Sequence, residues 1–272
     1  MDKLYFLTAG VPLRAGTKGY EKGFEILDEM GLDGLELEFV RGVRISDKSR
    51  EAVSATKKII TAHAPFYVNL NAREEEKVDA SVQRIIETAM VTNELGGYSI
   101  TFHAGFYLGQ EAEFVYNQIK KQIGIITSEL AKVGNKIWIR PETTGKATQW
   151  GDLEEIVRLS KEFDTVLPCV DFSHLHARYN GISNTYDEFC AIFDKIGNEL
   201  GQVAIDNFHA HIAGIEYGAK GEKKHLNLEE SDFNYKDLLK AFKAFNVKGA
   251  VICESPNIED DAKLLKDYYM SL

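Results

Sequence analysis

Short apolar runs of strand length alternate along this chain with longer stretches whose apolar residues recur at helical spacing. The strand-like runs are Leu4 to Ala9, Gly34 to Phe39, Ile59 to His63, Tyr98 to His103, Lys136 to Glu142, Val166 to Val170, Ala204 to His211 and Lys248 to Glu254. Between them the spacing predicts helices over 20–30, 48–56, 74–95, 111–132, from the Asp152 cap onward, 186–200, 235–245 and 258–269. Gly31, the Gly96-Gly97 pair and Gly134 stop three of them. Eight alternating units, with right-handed crossovers, imply a single-domain α/β fold spanning residues 1–272, a closed (β/α)8 TIM barrel rather than an open doubly wound sheet.

That pattern puts chemistry in one place, because the C-terminal ends of eight parallel strands meet at one mouth. His63, His103, His209 and His211 close strand-like runs, Glu142 and Glu254 follow two more, and Asp171 with His174 follows a sixth. His225 is expected in a loop beyond, and none of the seven histidines is expected on a helix. One such histidine is explained by a solvated loop; the whole set at strand ends is not. Neutral imidazoles and carboxylates without cysteine suit Zn, Mn or Fe rather than Mg or Ca.

Charge adds a second layer. The formal net charge is −10, yet the loops expected after the strands hold twelve Lys/Arg against three Asp/Glu, and the remainder holds 20 against 39. Arg14, Lys18, Arg41, Arg44, Arg73, Arg178, Lys220, Lys223 and Lys224 would ring the mouth, as a phosphate-bearing substrate requires. The three cysteines have no paired spacing and read as packed, reduced side chains. With no apolar run of membrane length and no leader pattern, a cytosolic monomer off the membrane is expected.

The ordered motifs HAPFYVNL from His63, FHAG around His103, PET around Glu142, VDFSH at 170–174, HAHIAG at 209–214 and CESP around Glu254 resemble the endonuclease IV family of metal-dependent apurinic/apyrimidinic endonucleases, within the xylose-isomerase-like barrels. The resemblance spans essentially the whole chain. It implies one ion held by His63, His103 and Glu142, and a second sharing Glu142 with Asp171, His211 and Glu254. A third would be held by His174 and His225. Glu142 would be the catalytic bridge, and the ions would activate water against the DNA phosphodiester 5′ to an abasic site. Phe66 and Tyr67 would wedge into the duplex where a base is missing, or else pack under their loop. Arg41, Arg44, Lys220, Lys223 and Lys224 would contact nucleic acid.

Two positions depart from the family. Lys223 stands where an aspartate normally precedes the last histidine, and His211-Ile212-Ala213-Gly214 replaces the family's H-x-N-D. The third site is then weakened, or completed by Glu222, His176 or water, and Lys223→Asp would be expected to restore an ion. The alternatives are a sugar isomerase or epimerase that needs Glu142, Asp171, His211 and Glu254 around one Mn, and a metal-holding barrel that binds damaged DNA without cutting it.

Overall fold

The computed structural model describes residues 1–272. Its eight principal strands are β1 (Leu4–Ala9), β2 (Gly34–Glu38), β3 (Ile59–His63), β4 (Ser99–Phe102), β5 (Trp138–Pro141), β6 (Val170–Asp171), β7 (Phe208–Ile212) and β8 (Gly249–Cys253). They form one parallel sheet in the order β5-β4-β3-β2-β1-β8-β7-β6. Parallel bridges Ile139↔Val166 and Glu142↔Cys169 join the two ends and close it into a TIM barrel.

The helices cover the outside with the faces that their spacing predicted. Ile85, Ile86 and Ala89 of Glu75–Glu94 are buried, as are Ile119, Ile123 and Ile126 of Ala112–Lys132. Asp152 with Glu155 and Thr185 with Glu188 form reciprocal capping boxes, which fix where two of these helices begin. Gly31, at φ 69°, ends Gly19–Met30 in the left-handed conformation. Cys169 and Cys253 are buried, Cys190 is half-buried and all three are free. No helix is long and apolar enough to cross a membrane.

Two elements at the mouth correct the sequence expectation. Directly after β6 the chain forms a short helix, Phe172–Arg178, so His174 and His176 are helical. Asp171 starts it by accepting the His174 backbone N–H at 2.7 Å. Phe172 anchors it in a buried aromatic cluster, its ring centroid 5.7–6.2 Å from those of Phe189, Phe193, Phe208 and Phe242. After β7 an antiparallel hairpin, Gly214–Gly218 with Gly221–Leu226, rises over the mouth, and His225 lies on its second strand rather than in a loop.

Candidate metal centre

Barrel closure gathers the ends of β3 to β8 around Glu142. Its Oε2 lies 3.2 Å from His63 Nε2, and its Oε1 lies 3.1 Å from His103 Nε2, 3.3 Å from His174 Nδ1 and 3.4 Å from His211 Nδ1. Three overlapping sets have their donor atoms within 4.8 Å of one another: His63, His103 and Glu142; Glu142, Asp171, His211 and Glu254; and Asp171, His174 and His225. All eight residues singled out from the sequence are therefore brought together.

Their hydrogen bonds show which atoms remain for a ligand. A backbone carbonyl only accepts, so His63 Nδ1 donates to Ala64 O at 2.7 Å, His174 Nδ1 to Thr143 O at 3.0 Å and His225 Nδ1 to Glu254 O at 3.2 Å. Each is thereby oriented so that Nε2 is the nitrogen left for a cation, which would take the place of any proton there. His211 is turned the other way: Nε2 faces Glu36 Oε1 at 3.0 Å, leaving Nδ1 towards Glu142 and towards Glu254 Oε1 at 3.3 Å. His211 Nδ1 and Asp171 Oδ2 are buried without a hydrogen-bond partner. Donor atoms converging in sets of three and four, with four of the five rings held from behind, fit divalent cations.

The electrostatics agree. Burial opposes charge on Glu142, yet His103 and His211 beside it hold its carboxyl well below the usual range. Burial likewise opposes charge on His63 and His174, but Glu142 for the first, and Asp171 and Glu142 for the second, push both up to about 10. Burial, with Glu254 and Glu142 nearby, pushes Asp171 up to about 6. Without metal, protons supply the positive charge that the carboxylates demand.

Beneath the mouth lies a polar column that sequence reasoning missed. Glu36 of β2, fully buried, accepts from Thr61 Oγ1 at 2.7 Å and meets His209 Nε2 at 3.1 Å and His211 Nε2 at 3.0 Å. His209 Nδ1 is 3.0 Å from Ser99 Oγ, which accepts from the buried Arg140 Nε at 2.6 Å. Arg140 ends the column by donating to Pro168 O and Asn207 O. His209 thus lies one layer below the donor set, whereas His211 belongs to it. The signal was the alternation Leu35-Glu36-Leu37-Glu38, which turns Leu35 and Leu37 to the helices and Glu36 into the barrel. Cys169, His209 and His211 also cluster. Burial pushes that thiol up to about 12, and both rings present Nε2 to Glu36, so the trio offers no thiolate site near neutrality.

On the rim, Arg41, Arg44 and Lys220 are exposed and have no acidic partner. Lys223 and Lys224 both reach Glu216, at 3.2 and 3.5 Å. Arg178 is a correction. Its guanidinium is buried and donates to the carbonyls of Lys146 at 2.6 Å and Gln149 at 3.1 Å, so it braces the loop after β5 instead of facing the mouth. His176 is a second correction, its ring held by Ile182 O and Asp232, away from the donors. Phe66 and Tyr67 are 60% and 46% exposed, with ring centroids 4.4 Å apart, at a cleft of about 470 Å³ that Arg84 and Phe106 also line. They do not pack under their loop.

Residues 24–268 match the family model described as xylose isomerase-like TIM barrel. An uncharacterized protein of Methanocaldococcus jannaschii is 46% identical over 271 residues, covering 99% of this chain and 98% of its own. A probable endonuclease 4 of Bacillus velezensis is 26% identical over 244 residues, covering 84% and 78%. Among solved structures, endonuclease IV from Thermus thermophilus superposes with a TM-score of 0.73 at 18% identity, covering 99% of this chain and all of that one. A D-tagatose 3-epimerase-like protein gives 0.75 at 18%, covering 98% and 97%. Fold, mouth and family model agree: the chain belongs to the xylose isomerase-like TIM barrel family.

Proposed function

We propose that this protein is a metal-dependent phosphodiesterase that cuts duplex DNA on the 5′ side of abasic sites. The observation that carries the proposal is the number of donors. An epimerase mouth needs one ion, for which Glu142, Asp171, His211 and Glu254 suffice. His63, His103, His174 and His225 would then stand around the same mouth, three of them oriented by carbonyls, with nothing to hold. Two divalent ions, zinc by the abundance of imidazole, employ six of the eight and a third employs the rest; when bound, they would activate water and draw charge from the scissile phosphate.

The chain's own residues do the rest. Glu142 lies between the first two donor sets and would fix their spacing, with Thr101 Oγ1 donating to its Oε2 at 3.4 Å. Glu36 holds the His211 ring so that Nδ1 stays aimed at the mouth. Arg41, Arg44, Lys220 and Lys224 would hold flanking phosphates, and Phe66 with Tyr67 would fill the gap left by the missing base. Sequence relatives named probable endonuclease 4 support this choice of substrate.

A duplex with one abasic site, incubated with the purified protein with and without chelator, tests this. A single nick 5′ to the lesion, lost with chelator and restored by zinc, is expected. The one-ion donor set and the epimerase-like fold favour a second reading, in which a ketose is epimerised with one Mn. Epimerisation without nicking would replace the first proposal, and several bound ions with neither activity would leave a non-cleaving DNA-binding barrel.

A further inference from the structure

We infer that Glu222 is a ligand of the outer metal site, beside Asp171, His174 and His225, and that the hairpin is built to place it there. The inference rests on the metal-cluster reading above and concerns a position that the sequence comparison leaves to Lys223.

The cause is a β-bulge. Ile215 pairs with His225 and Glu216 with Lys224, but Tyr217 pairs with Glu222, so Lys223 is an extra residue without an opposite number. Without the bulge, Lys223 would share the face of His225, because side chains alternate with period two. With it, Ile215, Tyr217, Glu222 and His225 share one face, while both lysines lie with Glu216 on the other. Lys223 is removed from the site by geometry, and a carboxylate takes its place.

The contacts agree. Glu222 Oε2 is 3.7 Å from His174 Nε2, the nitrogen that the Thr143 carbonyl does not engage, and 3.9 Å from Lys146 Nζ. Both separations are too long for hydrogen bonds. About 3.4 Å separates two donors of a tetrahedral ion whose bonds are about 2.0–2.1 Å, so 3.7 Å suits two donors flanking one cation. Space is reserved for the carboxylate. A Cβ on Gly145 would lie 2.6 Å from Glu222 Cβ, 2.9 Å from its Oε2 and 3.1 Å from His174 Cδ2. The hairpin is clamped against this loop by the Glu222 N–H, which donates to Gly145 O at 2.9 Å, and Gly221 (φ 89°) permits the approach, since a Cβ there would meet the same oxygen at 2.2 Å.

Metal content per chain, measured after zinc loading and dialysis, tests the assignment independently of any cleavage. The wild type should hold three ions and Glu222→Gln two. Lys223→Ala and Lys223→Asp should both keep three, because position 223 faces away. Gly145→Ala should hold two, its methyl displacing the carboxylate without removing it. Equal melting temperatures of wild type and Glu222→Gln in excess chelator are expected and would tie the loss to ligation. Three ions retained in Glu222→Gln, a wild type holding fewer than three, or a gain in Lys223→Asp would each overturn the inference. Failure to nick abasic DNA with the predicted ion counts would instead remove the proposed reaction and leave Glu222 as a ligand.

Discussion

His209 and His211 stand two residues apart on β7 and face the same way, yet they belong to regions that work differently. In the column both nitrogens of His209 are engaged, by Ser99 Oγ and by Glu36. At the mouth, His63, His174 and His225 each have one nitrogen held by a carbonyl and the other turned to neighbouring donors. Histidine and glutamate are common to both regions, so composition does not distinguish them. What differs is the unused lone pairs, and those mark the place where a cation can bind.

The comparison is broken most severely at Glu142. Glu142→Gln keeps the volume but removes the charge between two donor sets, so at least one ion should be lost and cleavage should fall by several orders of magnitude. Elemental analysis beside the nicking assay checks this; a variant with full metal content and full rate would show that Glu142 does not bridge.

Proton competition comes next. In the metal-free protein His63 and His174 are pushed up to about 10, so both carry protons at neutral pH. A cation must displace those protons. Metal affinity should therefore weaken as pH falls below about 10, by about tenfold per unit for each proton displaced. Chelator competition from pH 6 to pH 9 measures the slope, and a flat profile would mean that the mouth histidines are already neutral.

Glu36→Gln probes the column where it touches the mouth. His209 and His211 meet different oxygens of Glu36 and the amide keeps only one, its NH2 facing the other ring, so the His211 ring should loosen and metal affinity fall by about 10- to 100-fold. If only the melting temperature changed, the column would be scaffold alone. Ser99→Ala, deeper down, leaves Arg140 Nε and His209 Nδ1 without their partner. It should cost about 1–3 kcal/mol of stability by denaturant titration and leave metal content untouched.

Periodicity carried the barrel in the sequence because strand and helix faces repeat over many residues, and strand ends carried seven of the eight mouth donors, His225 coming from the family resemblance. The helix Phe172–Arg178 did not announce itself. Seven residues span two turns, and the spacing of His174 and His176 imitates a strand. The bulge at Lys223 was hidden too, since an unpaired residue depends on its partner strand and not on its own neighbours. Arg178 was misread as rim because a count by loop cannot tell an arginine that binds carbonyls from one that faces solvent.

The junction of β5 and β6 carries one more consequence. Four backbone hydrogen bonds cross it, from Ile139 N–H to Thr165 O, Leu167 N–H to Ile139 O, Cys169 N–H to Pro141 O and Thr143 N–H to Cys169 O, and Pro141, which has no N–H to give, leaves one rung empty. Its two lips carry Glu142 on one side and Asp171 with His174 on the other. Ions held between those lips would add a second set of links across a junction that backbone hydrogen bonds already close. Metal loading would then stabilise the closed barrel by mass action, so that the donor set also serves as a fastener of the fold.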